Sequence, residues 1–128
     1  MFRVYDIEHN EWITEGCFMD AKENLHIAEK TFFGNVKLNL VLSDRYIYQY
    51  AIGLTDKNRN QIYEGDICKS TNNNFGIISF NHQFASYVLY NPKKNKHFVL
   101  SEKICSNNLE VIGNVFDIPD EYKNYIEK

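Results

Sequence analysis

Two strand-length runs, YIYQYAIGLT (46–55) and QIYEGDICKS (61–70), stand on either side of five polar residues, DKNRN. Both runs are rich in Tyr, Ile and other side chains that suit a pleated surface, and a short Asp/Asn turn between them is a hairpin signal. This is the strongest strand pair in the chain. It predicts an antiparallel ribbon near the middle, around which the rest must be arranged.

The flanking sequence repeats the pattern. FRVYDIEHNEWIT reads as a hairpin, Phe2 to Ile7 and Glu11 to Thr14, interrupted at Glu8, His9 and Asn10. NVKLNLVL alternates, with Val36, Leu38, Leu40 and Leu42 on one face, and predicts a strand. DAKENLHIAEK before it fits a short helix or a strand with a polar lead-in. Beyond TNNN come FGIISF, a turn at Asn81 to Gln83, FASYVLY, a turn at PKKNK, and HFVLSE. LEVIGNVF predicts a last strand, with a bulge or bend at Gly113. Asp117 is expected to cap a short C-terminal helix with Pro119 in its first turn and Tyr122, Tyr125 and Ile126 on its apolar side. Closely spaced strands with polar turns predict a mostly β fold, a small antiparallel barrel or sandwich. The 128 residues suit one domain: an N-terminal β part (1–45), the hairpin and barrel (46–116) and the short helix (117–128).

Nine Tyr and nine Phe against two Pro reinforce the β reading, and 44% hydrophobic content supplies a core. A net charge of −3 argues against attraction of the whole surface to nucleic acid or an anionic membrane. MFRVYDIEHN lacks the charged-then-apolar pattern of a signal peptide, and no apolar run is long enough for a membrane helix. Cys17, Cys68 and Cys105 are odd in number and lack CxxC spacing, as expected for reduced thiols in a cytoplasm.

Four patterns invite a chemical reading. DKNRNQIYEGDI opens like a calcium loop, but its sixth and twelfth positions are Gln61 and Ile67 where that chemistry needs Gly and a bidentate Glu. Asp and Asn in a turn account better for it. His9, His26, His82 and His97 share no ligand spacing with one another or with the cysteines, and Cys68 beside Ile67 fits a small buried thiol. Glu64 and Asp66 bracket Gly65 and could converge for acid–base work, although carboxylates bonded to turn amides at a bend are the simpler expectation. Tyr46, Tyr48 and Tyr50 share a face and, with the Lys93, Lys94 and Lys96 turn, could form a base-stacking platform beside a basic loop. Half a core and a solvated hairpin tip are the plainer reading.

FRVYD, then YQYAIGLTDKNRNQIYEGDI, then LEVIGNVFDIP, in that order, resemble the YopX family of small bacteriophage and prophage proteins, from Phe2 to Pro119. The long central motif is the most specific part, and 15–45 corresponds to a variable stretch. The resemblance implies a mostly β protein whose C-terminal part is a small SH3-like barrel, with no known catalytic residues and with assembly into homo-oligomers as one option; no cofactor and no metal are expected. Asn58-Arg59 stands where the family commonly has Asn-Gly, and Ala51 where it has Thr. The Arg59 departure predicts that Asn58 or Asn60 takes the left-handed conformation of the turn. The functional expectation is a non-enzymatic accessory protein in the bacterial cytoplasm that contacts a host or phage protein and modulates it. The candidate contact or motif residues are Tyr46, Tyr48, Tyr50, Arg59, Tyr63, Glu64, Asp66, Lys93, Lys94 and Lys96. A nucleic-acid-binding barrel in phage DNA metabolism or regulation is the alternative; an enzyme using Glu64 and Asp66 is a third, weaker class.

Overall fold

Short polar side chains at the turns divide the chain into strands throughout the computed structural model, which describes residues 2–13, 15–30, 36–40 and 44–126. The chain forms two compact units, Met1–Gln49 and Tyr50–Lys128, taken separately below.

In the first unit, β1 (Phe2–Asp6) and β2 (Glu11–Ile13) form the expected hairpin, with Tyr5 opposite Trp12. Val4 and Tyr5 are buried, Tyr5 meets the Trp12 ring edge-on at 4.9 Å, and the Arg3 guanidinium lies 4.2 Å over the same indole. A second sheet orders β3 (Cys17–Met19), β4 (Leu25–Lys30) and β5 (Val36–Leu40) as an antiparallel meander. Of the two readings of DAKENLHIAEK, the strand with a polar lead-in is the one the chain adopts. The Asp20 carboxylate accepts the N–H groups of Lys22 and Asn24, which closes a turn and lets the strand start at Leu25. The expected strand at NVKLNLVL is present as Val36–Leu40; Leu42, like Thr14, lies outside the described residues. β6 (Tyr46–Thr55) begins beside β1 and runs on past Gln49.

In the second unit, the later half of β6 pairs with β7 (Gln61–Tyr63), Ala51 opposite Tyr63 and Thr55 opposite Gln61. The run 61–70 is not one strand, as the sequence suggested. Gly65, at φ +89°, turns the chain, and β8 (Asp66–Ser70) leaves β7 for another sheet. That sheet contains β9 (Phe75–Asn81), β10 (Ser86–Asn91), β11 (Lys96–Val99) and β12 (Leu109–Asn114), in the order β11-β10-β9-β8-β12, and forms a half-barrel. β10 starts at Ser86 rather than Phe84, because Ala85 is left-handed at φ +49° and Phe84 belongs to the turn. The bulge expected at Gly113 is present, as a register shift between Val111 and Gly113.

The concave face buries Ile62, Cys68, Ile78, Leu89, Cys105 and Leu109 together. On the opposite face Ile67 and Phe75 pack with Ile77, Ile112, Ile118 and Tyr122. One element is absent from the sequence reading: α1 (Glu102–Asn108) lies between β11 and β12, so HFVLSE is a strand only to Val99. Ser101 caps it, its Oγ accepting the Ile104 N–H, and its one buried residue, Cys105, joins the concave core. Near the C-terminus a 3-10 turn, Asp120–Tyr122, leads into α2 (Lys123–Ile126). Pro119, not Asp117, is its N-cap, because the Asp117 backbone is already paired with Asn114. Among the described residues no helix is long and apolar enough to cross a membrane.

Candidate functional site

The central turn, DKNRN, is one of three built alike among the described residues. At Asp20, Asp56 and Ser70 a side-chain oxygen accepts N–H groups two and four residues on, and the backbone N–H three residues on bonds back to the carbonyl of the first. The fourth residue is left-handed in each case: Glu23 at φ +62°, Arg59 at +66° and Asn73 at +60°. The expectation that Asn58 or Asn60 would take that role is therefore corrected: Arg59 takes it. The position is fixed by the backbone pattern and not by which residue tolerates it best. Asn58 is instead needed where its N–H faces the Asp56 carboxylate.

Asp56 does more than close its turn. Although the residue is only 1% exposed, its Oδ1 accepts from Asn58 and Asn60, and its Oδ2 accepts the Val111 N–H at 2.9 Å, across 55 residues. The Val111 N–H sits beside the β12 bulge, where the ladder to β8 shifts. Burial pushes this carboxyl up, but the N–H groups of Val111, Asn60 and Asn58 outweigh it and hold it below its ordinary range. The Lys57 N–H also donates to the Leu109 carbonyl at 2.8 Å, and Lys57 pairs with Glu110.

The second motif carboxylate is used in the same way. Asp66, also 1% exposed, accepts the Tyr63 N–H on Oδ2 and the Asn114 side-chain amide on Oδ1. These bonds hold the chain where it leaves β7 and tie β8 to the end of β12. Glu64, half-buried, does not join Asp66 in a shared site: its backbone N–H bonds to the Tyr50 carbonyl, and its charge adds to burial in raising the Tyr87 hydroxyl. Asp56 and Asp66 are thus internal braces between the IYEGD and LEVIGN stretches, each with its lone pairs directed at the chain itself.

Sequence reasoning missed a third buried carboxylate, Asp6. The Arg45 guanidinium grips it with Nε on Oδ1 at 2.9 Å and Nη2 on Oδ2 at 2.8 Å, and holds it far below the usual carboxylate range. The Glu8 N–H and the His9 ring also bond to it. Oxygen and nitrogen atoms of Asp6, His9 and Glu11 lie within 4.8 Å of one another, the spacing of metal ligands. The arginine already supplies the positive charge there, and a cation would have to displace a two-pronged ion pair to enter. No signal in FRVYD marks Arg45 as the partner, 39 residues away.

The cysteines fit packing better than chemistry. Cys68 and Cys105 are fully buried, and burial pushes the Cys105 thiol up to about 11 and Cys68 further, so neither presents a thiolate nucleophile near neutral pH. Tyr48 is exposed, Tyr46 is half-buried beneath the Arg45 guanidinium, and Tyr50 and Tyr63 are half-buried. Lys93, Lys94 and Lys96 stand exposed on the β10–β11 turn, which the Asn91 side chain closes by accepting the N–H groups of Lys93 and Lys94.

A cleft of about 420 Å³ opens beside β11, lined by Asn74, Leu89, Phe98, Leu100, Ile104 and Leu109 among others. Phe98 and Val99 on β11 and Ile104 on α1 are exposed apolar side chains at this place, and Phe80 and Phe84 add to them on the neighbouring hairpin. Comparison with known protein families matches residues 1–121 to the family described as YopX protein. No curated protein matches the chain.

Proposed function

This chain belongs to the YopX family, and from that premise we propose that it is a non-enzymatic phage or prophage accessory protein that works by contacting another protein. One observation carries the reading. The buried acids Asp6, Asp56 and Asp66 are all engaged in holding the chain, whereas Phe80, Phe84, Phe98, Val99 and Ile104 are left exposed around one half-barrel. Exposed apolar side chains gathered in one region are the usual mark of a contact surface. In the same reading the second unit is an SH3-like barrel, supported by a strand order in which β12 returns beside β8 after a four-strand meander. Free thiols at Cys17, Cys68 and Cys105 suit the bacterial cytoplasm as its place of action.

The test is capture from bacterial host lysate by the tagged protein, with and without nuclease. A protein partner retained after nuclease treatment supports the reading. Recovery of no partner overturns it, and partners that vanish with nuclease and with Lys93, Lys94 and Lys96 changed to Ala overturn it in favour of nucleic-acid binding.

A further inference from the structure

We propose that the outer edge of β11, with the cleft beside it, takes an extended acidic segment of a partner protein as an added strand. The inference rests on the interaction-module reading and assigns it a place and a ligand chemistry.

β11 is the last strand of its sheet among the described residues, and all four of its residues are exposed. An edge strand offers unpaired N–H and C=O groups to any extended chain that lies alongside. Natural edges are commonly short, twisted or covered; this one is short but borders an open cleft with apolar side chains in its wall beside Asn and Ser residues. The registers Leu89↔Phe98 and Asn91↔Lys96 put Lys96 and Phe98 on the same face as the buried Leu89, and Phe98 lines the cleft with Leu100 and Ile104. An added strand therefore meets a cation first and apolar side chains next, along one face.

Charge selects the occupant. No carboxylate lines the cleft among the described residues. Lys93, Lys94 and Lys96, exposed where the chain enters β11, form no ion pair among those residues, although the protein as a whole carries a net charge of −3. A segment with carboxylates at the lysine end and apolar residues at alternate positions after them neutralises the turn and fills the cleft. β11 itself (Lys96–Val99) holds no carboxylate, so a second copy paired along this edge would bring none into register with the lysines.

The probe is a fluorescent octapeptide, Asp-Glu-Asp-Val-Thr-Val-Thr-Val, followed by anisotropy against the full chain. Saturable binding is expected, weaker at higher salt, about tenfold or more weaker after joint reversal of Lys93, Lys94 and Lys96 to Glu, and similarly weakened by Ile104→Asp. All four positions are exposed, so the variants are expected to fold, which circular dichroism confirms. Absence of saturable binding overturns the proposal, as does equal binding of a peptide with Lys in place of its three acids, or dimerisation through β11 abolished by Phe98→Glu. Repeating the lysate capture with the same variants separates the two levels. A partner still captured by both leaves the interaction-module reading standing and removes this site; no partner for the unaltered protein removes the reading itself.

Discussion

Replacing Arg59 by Gly is expected to stabilise the protein. Arg59 holds φ at +66°, in the left-handed region where the Cβ of an L-residue crowds its own backbone at a cost of about 1–2 kcal/mol. Its backbone N–H bonds to the Asp56 carbonyl, a bond that glycine keeps. The side chain is exposed and makes no ion pair among the described residues, so nothing else is lost. Against the relief stands the greater freedom of glycine in the unfolded chain, about 0.4–1 kcal/mol. From the middle of each range, the net gain is about 0.5–1 kcal/mol. With an unfolding entropy of about 2.1 cal/mol/K per residue over 128 residues, the melting temperature should rise by about 2–4 °C. Thermal melts followed by circular dichroism at neutral pH measure it, with Arg59→Ala and Arg59→Asn beside it. Ala keeps the Cβ and should gain little; Asn, which tolerates the left-handed region, should fall between. A lower melting temperature for Gly, or an equal gain for Ala, would refute backbone strain at this residue and point to its charge instead.

Asp56→Ala strands the buried Val111 N–H and opens the turn, and should cost about 2–4 kcal/mol in chemical denaturation. Gly76→Ala places a Cβ 2.8 Å from both the Leu89 Cγ and the Tyr90 carbonyl oxygen, so a loss of about 1–3 kcal/mol is expected, read from the urea midpoint. Stability should fall as pH drops below about 4. Arg45 holds Asp6 and His26 holds Asp20 below the ordinary 3.8, Asp20 at about 2, and Asp56 lies below it as well. A folded value below the unfolded one gives stability that is complete above the unfolded pKa and lost as pH falls toward the folded one. Melts from pH 7 to pH 2 should show that decline, shallower in Asp6→Asn; a flat profile would contradict these pairings.

The sequence by itself determined most of the strands. Alternating Tyr, Ile and Val with Asp, Asn and Ser at the turns specified most strands and their antiparallel joins, because pleat period and turn chemistry act over a few residues. The order of FRVYD, IYEGD and LEVIGN was enough to identify the family. It did not show that QIYEGDICKS breaks at Gly65 into two sheets, that SEKICSNN forms a helix, or that Arg59 occupies the left-handed position. Arg59 is set by the turn's own bonds to Asp56, whose form a reading by residue type did not anticipate. The first two are settled at a distance, Asp66 being drawn to Asn114 and Cys105 into the concave core. The same holds for the candidate site. The lysine turn was legible as a cluster of residues, but the cleft beside β11 exists only because α1, β11 and the β8–β9 turn come together. Short-range pattern can specify strands, whereas a carboxylate's partner and the walls of a cleft are supplied by segments tens of residues apart, which only the folded chain brings into contact.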